Sequence, residues 1–166
     1  MAKLSIIIPA YNEERTIYKV LSKINKVELP LSVLKEIIVV DDCSSDNTQS
    51  VVAAYQQLYP TSDIKYIRHE KNKGKGAALH TGIRNVTGGY VIIQDADLEY
   101  DPRDYIVLLQ PILDGHADVV YGSRFMGGKP HRILFFWHTI GNKFLTLLSN
   151  LFTNLNLTDI ETGYKI

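Results

Sequence analysis

The chain has a single cysteine, Cys43, among 166 residues. It can form no intramolecular disulfide and offers no Cys-x-x-Cys pair to zinc, so the sequence reads as that of an intracellular protein. It also has no net charge, because 18 lysines and arginines balance 18 aspartates and glutamates. Without an overall positive field to gather phosphates, a globally basic nucleic-acid binder is excluded. Long apolar runs are missing too. The amino-terminal run is short, stops at Pro9 and leads straight to Glu13 and Glu14, unlike the apolar stretch of a signal peptide. Ile133 to Phe152 comes nearest to a membrane span, but His138, Asn142, Lys143 and Asn150 interrupt it, and a span needs about 20 largely apolar residues. The expected location is the cytoplasm, with peripheral attachment to the cytoplasmic face of a membrane as the alternative.

What is present is globular. Hydrophobic residues make up 45% and charged residues 22% of the chain, and this length suits one domain with a sizeable core. Leu4 to Ile8, Ile37 to Val40, Ile64 to Ile67, Tyr90 to Ile93 and Val119 to Tyr121 are apolar runs of strand length. Continuous apolarity suits strands covered on both faces, as in a parallel sheet. Between them Ile17, Val20, Leu21 and Ile24 form a helical stripe, with Asn12 as its expected cap and Glu13 and Glu14 as an acidic first turn. A second helix follows Asp46 with Val51, Val52, Tyr55 and Leu58 on one face, a third runs from about Gly76 to Val86, and a fourth starts at Pro102 after a capping Asp101. Alternation of this kind predicts an α/β fold, a Rossmann-like doubly wound and mostly parallel sheet with helices on both faces. Gly122 to Pro130 reads as a mobile loop. After it Ile140, Phe144, Leu147, Leu148, Leu151 and Phe152 form a stripe expected on a core or membrane-proximal helix, and Trp137 reads as a core or interface residue.

Ligands of open α/β sheets bind outside the carboxyl ends of the strands, so the polar residues there are the candidates. Strand one ends in Pro9-Ala10-Tyr11-Asn12-Glu13, strand two in Asp41-Asp42, and strand four in Asp95-Ala96-Asp97-Leu98-Glu99. In an extended segment Asp95, Asp97 and Glu99 would share one side, which suits Mg²⁺ or Mn²⁺ held jointly with substrate phosphates. A solvated acidic turn is the other reading. Asp41 and Asp42 could shape a turn or accept hydrogen bonds from a ribose or base. A dinucleotide-binding enzyme would use an acid similarly, but its first β-α turn should be glycine-rich, and here it holds Pro9, Tyr11, Glu13 and Glu14. Gly74-Lys75-Gly76 lacks the Gly-Lys-Ser/Thr ending of a P-loop and reads as a turn that frees Lys75 to meet an anion. No Asp or Glu occurs from Val119 to Thr158, while Arg124, Lys129, Arg132 and Lys143 lie inside that window. A basic flap facing acidic strand ends suits an anionic substrate beside a metal. Anionic lipid and a merely solvated basic face are the alternatives.

Together, Ile6-Ile7-Ile8-Pro9-Ala10-Tyr11-Asn12-Glu13-Glu14, Val39-Val40-Asp41-Asp42-Cys43-Ser44-Ser45-Asp46, Asn72-Lys73-Gly74-Lys75-Gly76, Asp95-Ala96-Asp97 and Gly122-Ser123-Arg124 resemble the family 2 glycosyltransferases. Arg132 and the closing Asp159-Ile160-Glu161-Thr162-Gly163-Tyr164-Lys165 are similar to the branch that uses dolichyl or polyprenyl phosphate. The resemblance implies a GT-A catalytic domain over residues 1–166, cut short at its carboxyl end, and inverting transfer of a hexose from UDP-glucose or GDP-mannose to a polyprenyl or dolichyl phosphate. Pro9, Tyr11, Glu13 and Asp42 would hold the nucleoside with Asp41, Lys75, Asp95 and Ala96 nearby. Asp95 and Asp97, with Glu99, would hold Mg²⁺ or Mn²⁺. Arg124 and Arg132 would hold the acceptor phosphate and, with Asp97, complete the catalytic set. Two alternatives accompany this: a family 2 transferase acting on a sugar hydroxyl, with Asp159 or Glu161 as base, and a nucleotide-sugar-binding fragment without activity. The family often has Gly where Cys43 stands.

Overall fold

The computed structural model describes residues 2–30, 33–123 and 136–166. Four strands, β1 (Ala2–Ala10), β2 (Val33–Asp41), β3 (Ile64–Arg68) and β4 (Tyr90–Ile93), form one sheet in the order β3-β2-β1-β4. Every pairing is parallel. Ala2 opposes Val33 and Ala10 opposes Asp41, Ile37 to Asp41 run beside Ile64 to Arg68, and Leu4 to Ile7 run beside Tyr90 to Ile93. The first three strands progress one way from β1, and β4 returns to its other side. The carboxyl ends of β1 and β4 therefore flank a topological switch point, where open sheets of this kind leave a crevice.

Alternate residues of the central strands feed two cores. Leu4, Ile6, Ile8, Ile37 and Val39 pack with Ile17, Val20, Leu21 and Ile24 of α1 (Ile17–Lys26), Val52 and Tyr55 of α2 (Thr48–Leu58), and Tyr105, Leu108 and Leu109 of α4 (Tyr105–Leu113). Ile38 and Val40 point to the other face and meet Ala78 of α3 (Lys75–Ile83). Helices on both faces explain why the strands carry unbroken apolar runs. Helix α3 lies so close to β1 that a β-carbon on Gly82 would collide with the Ile7 side chain.

Four expectations need correction. Val119 to Tyr121 does not extend the parallel sheet. Its backbone instead bonds the end of the chain: Val120 and Ile166 exchange hydrogen bonds at 2.9 and 3.1 Å, and Gly122 N donates to Tyr164 O at 2.9 Å, around an antiparallel bridge between Tyr121 and Lys165. Asn12 does not cap α1, which begins after Thr16. Residues 12–14 are drawn instead to the segment after β2: Asn12 N donates to Ser44 Oγ at 2.9 Å, Glu13 N to Thr48 Oγ1 at 2.8 Å and Glu14 N to Asp46 Oδ2 at 3.0 Å. Asn12 itself is left-handed (φ +57°). The third concerns α5 (Phe136–Thr153), expected as a core or membrane-proximal helix: its apolar stripe faces outward, so it is the core alternative that falls. Trp137 is 76% exposed and Phe144, Leu147, Leu151 and Phe152 are all exposed. The inward face is polar. Asn142 Nδ2 donates to Asp159 Oδ1 at 2.6 Å, Thr146 Oγ1 to Asn142 Oδ1 at 3.1 Å and Asn150 Nδ2 to Leu157 O at 2.8 Å, stitching the helix to the returning chain. Asp101 caps as expected, accepting from Arg103 N at 3.0 Å at the head of a 3-10 turn, Pro102–Asp104, that leads into α4. Leu58, expected on the inner face of α2, is exposed.

Candidate functional site

At the switch point lies a cavity of about 320 Å³ whose wall includes Pro9, Tyr11, Glu13, Asp42, Lys75, Asp95, Ala96 and Asp97. Eight residues singled out from three strand ends and the turn into α3 thus share one site. Ala10, Asn72, Gly74 and Ala78 complete the wall. Tyr11 is half exposed at its edge, while the Glu13 carboxylate accepts the Thr16 hydroxyl.

Asp41 and Asp42 divide the work. Asp41, fully buried, lies outside that wall. Its carboxylate accepts Ser44 N at 2.8 Å, Ser44 Oγ at 2.6 Å and the Tyr66 hydroxyl, with Arg68 Nε at 3.9 Å. Burial, then the bond to Asp41, pushes the Tyr66 phenol well above its ordinary pKa. Asp41 therefore shapes the turn after β2 through these bonds and does not reach the cavity wall. Asp42 does line the cavity, and accepts from Lys73 N at 2.9 Å and Gly74 N at 2.7 Å. Burial alone would raise its pKa, but hydrogen bonds from His69 and those two amides together hold it below the usual carboxylate range. Between the turn and the loop sits Cys43, left-handed at φ +66°. That conformation suits glycine best and accounts for the glycine common at this position in the family the sequence resembles.

The acidic segment after β4 is not extended. Leu98 is left-handed (φ +65°) and Asp97 Oδ1 accepts from Glu99 N at 3.0 Å, so the chain turns there. Asp95 and Asp97 face the first cavity; Glu99 instead lines a neighbouring one of about 300 Å³ that shares Lys75 and Asp95 with the first. Among the described residues no three His, Cys, Asp or Glu side chains converge as a complete metal site. Two carboxylates on one wall still fit a small divalent cation, which takes one or two carboxylates and leaves other positions to water and substrate phosphates. The wall already holds a positive charge, since Lys75 Nζ lies 2.6 Å from Asp95 Oδ1.

The second cavity also meets Tyr100, Glu161, Thr162 and Gly163, and Glu161 continues into a third of about 270 Å³ against Trp137 and His138 of α5. Asp159, the other carboxylate considered as a base, is buried against Asn142. Arg124 and Arg132 lie outside the described residues, as does most of the Gly122 to Pro130 segment expected to be a mobile loop.

Sequence reasoning missed Gln94. Fully buried at the end of β4, its Oε1 accepts the hydroxyls of Tyr105 at 2.6 Å and Tyr164 at 2.9 Å, while Nε2 donates to Asp95 O at 3.0 Å and Tyr100 O at 3.3 Å. Gln94 ties the acidic turn to α4 and to the closing segment. Its neutral side chain next to charged motif residues gave no signal.

The family model described as glycosyl transferase family 2 matches residues 5–163, nearly the whole chain. The chain belongs to glycosyl transferase family 2. Family relatives include a dolichyl-phosphate beta-glucosyltransferase of Trichomonas vaginalis, 33% identical over 98% of this chain and 52% of that protein. Among solved structures, a mannosyltransferase from Pyrobaculum calidifontis in complex with GDP-Man and Mn²⁺ is 33% identical, with a TM-score of 0.57 over 62% of this chain and 30% of that one. Glucosyl-3-phosphoglycerate synthase from Mycobacterium tuberculosis shares the fold over 99% of this chain and 55% of that one, at a TM-score of 0.72 and 24% identity. The family 2 chain thus has the Rossmann-like GT-A fold. It spans between 35% and 69% of the length of five curated relatives.

Proposed function

We propose that this family 2 chain is the donor-binding catalytic domain of an inverting hexosyltransferase that moves a sugar from a nucleotide diphosphate to a polyprenyl or dolichyl phosphate. The observation that carries the reading is the convergence of Pro9, Tyr11, Glu13, Asp42, Lys75, Asp95 and Asp97 on one cavity at the switch point. Relatives named for transfer involving dolichyl phosphate, and a neighbour that holds GDP-Man and Mn²⁺, support it.

In this reading Tyr11 and Asp42 meet the nucleoside. Lys75 and the Asp95–Asp97 wall face the diphosphate. Asp95 and Asp97 would hold Mg²⁺ or Mn²⁺, which supplies charge neutralisation for the departing nucleoside diphosphate. The second cavity, reached past Lys75 and Asp95, suits the hexose, with Glu99 and Glu161 as hydrogen-bond acceptors for its hydroxyls. A phosphate monoester is largely dianionic at neutral pH (second pKa about 6), so it can attack the anomeric carbon without a strong base. Arg124 and Arg132 carry the cationic forks suited to gripping that acceptor. Were the acceptor a sugar hydroxyl, a carboxylate base would be required, and Glu161, at the cavity, fits that task better than buried Asp159.

The outward apolar face of α5 belongs to the same reading. Its Trp137, Phe144, Leu147, Leu151 and Phe152 lie in the window without acids that carries Arg124, Lys129, Arg132 and Lys143. An anionic bilayer surface matches both features: apolar side chains enter the interface while each basic residue near it contributes about 1 kcal/mol. No described helix is long and apolar enough to cross a membrane, so the contact would be peripheral.

The deciding experiment is calorimetry of UDP and GDP with and without Mn²⁺, on the wild type and Asp97→Ala. Metal-dependent affinity should be present in the first and absent in the second, with the fold retained. Undiminished metal-dependent binding by Asp97→Ala would overturn the metal assignment.

A further inference from the structure

Behind the nucleoside cavity stands a buried imidazole that the proposed chemistry does not use. His69 follows the last residue of β3, and its own amide donates to Asp41 O at 2.8 Å. Its Nδ1 lies 2.7 Å from Asp42 Oδ1 and its Nε2 2.8 Å from Thr81 Oγ1 on α3. An ionised carboxylate can only accept, so Nδ1 is the donor; in the neutral ring Nε2 then accepts the Thr81 hydroxyl proton. The ring thus bridges the end of β2 and a helix on the sheet's other face. Asp42 in turn receives the amides of Lys73 and Gly74, the turn that enters α3 with Gly74 at φ +86°. The next residue is Lys75, which faces Asp95 across the cavity.

We propose that His69 is a positioning residue for the donor. It fixes the Asp42 carboxylate, the carboxylate fixes the 73–74 amides, and that turn presents Lys75 to the diphosphate. This rests on the donor reading above and adds to it a residue that touches no substrate. Removing the imidazole leaves Asp42 free to rotate away from the loop amides. The loss should fall on donor binding, raising the donor KM while kcat changes little, because His69 lines neither of the two cavities assigned to the donor.

Three substitutions separate positioning from packing. Asn places an amide nitrogen where Nδ1 sits and keeps the bond to Asp42. Gln reaches Thr81 but not the carboxylate. Ala keeps neither. In the ligand-free protein, amide exchange at Lys73 and Gly74 should quicken about tenfold in His69→Ala and His69→Gln and stay near wild type in His69→Asn, as loss of one hydrogen bond to a charged group implies. Mn²⁺-dependent affinity for UDP or GDP should weaken about tenfold in the same two variants and recover in His69→Asn. If His69→Ala does not fold, the comparison of His69→Gln with His69→Asn carries the test alone. Equal behaviour of Asn and Gln, or unaltered exchange at Lys73 and Gly74, would overturn the proposal. If the wild type binds neither nucleotide, the donor reading fails, and the clamp stands or falls on the exchange rates.

Discussion

Glu36 shows how one buried carboxylate can govern stability far from the candidate site. It lies on β2 opposite Ser5 of β1 and accepts Thr87 N at 2.6 Å, Gly88 N at 3.0 Å and the hydroxyls of Ser5 and Thr87. Burial would raise its pKa, but these donors together pull it down from 4.5 to about 2. A carboxyl depressed in the folded state contributes stability that is complete above the unfolded value and is lost as pH falls through the folded one. Denaturant midpoints should therefore decline from about pH 4.5 towards pH 2, with Asp101, also held at about 2 by Arg103 beside it, adding to the slope. Glu36→Gln should cost about 2 kcal/mol at pH 7, since it exchanges charge-assisted bonds for neutral ones. It should also make the acid limb shallower by roughly one proton. An acid limb of unchanged slope in Glu36→Gln would show that Glu36 does not titrate with unfolding.

At the scale of elements, α5 makes the sharpest prediction. Its exposed apolar face contributes little to folding, so Leu147→Glu and Phe144→Glu should each alter the unfolding free energy by less than about 0.5 kcal/mol. The same changes should abolish co-sedimentation with anionic vesicles, because they bring charge into the apolar face and repel the lipid. Destabilisation of several kcal/mol would instead mean that the face is packed in the folded chain. The helix was legible in its 3.6-residue stripe, yet the stripe does not tell which side turns inward. The side chains that do, Asn142, Thr146 and Asn150, are satisfied by residues 157–160, a pairing fixed by tertiary structure. The four parallel strands were legible for the opposite reason, since burial on both faces demands unbroken apolar runs. Val119 to Tyr121 has the same composition but pairs antiparallel with residues 164–166, and no local pattern encodes that choice. Motif residues at strand ends could be found because charge there stands out. Gln94 and His69 went unseen because an uncharged hub and a buried imidazole look like filler until their four and two partners are known.

For the whole molecule, the donor reading requires that ligand binding be felt by the entire fold. The first cavity gathers residues that follow β1, β2 and β4 and the turn into α3, so a ligand there joins elements that must separate on unfolding. A ligand that binds only the folded state stabilises it by RT ln(1 + [L]/Kd), about 2.7 kcal/mol at one hundred times Kd. For a domain of this size each kcal/mol raises the midpoint by roughly 2–4 °C, so saturating nucleoside diphosphate with Mn²⁺ should raise Tm by roughly 5–10 °C. A panel of UDP, GDP, ADP and CDP then reads base preference directly, because the diphosphate contacts are common and only the nucleoside differs. One base should give the largest shift, and it identifies the donor class. Omitting Mn²⁺ should shrink every shift, since Asp95 and Asp97 would then face the diphosphate with Lys75 as the one cation among the described wall residues. Identical small shifts for all four bases would indicate an unspecific anion site around Lys75, and no shift with any of them would remove the nucleotide-sugar reading altogether.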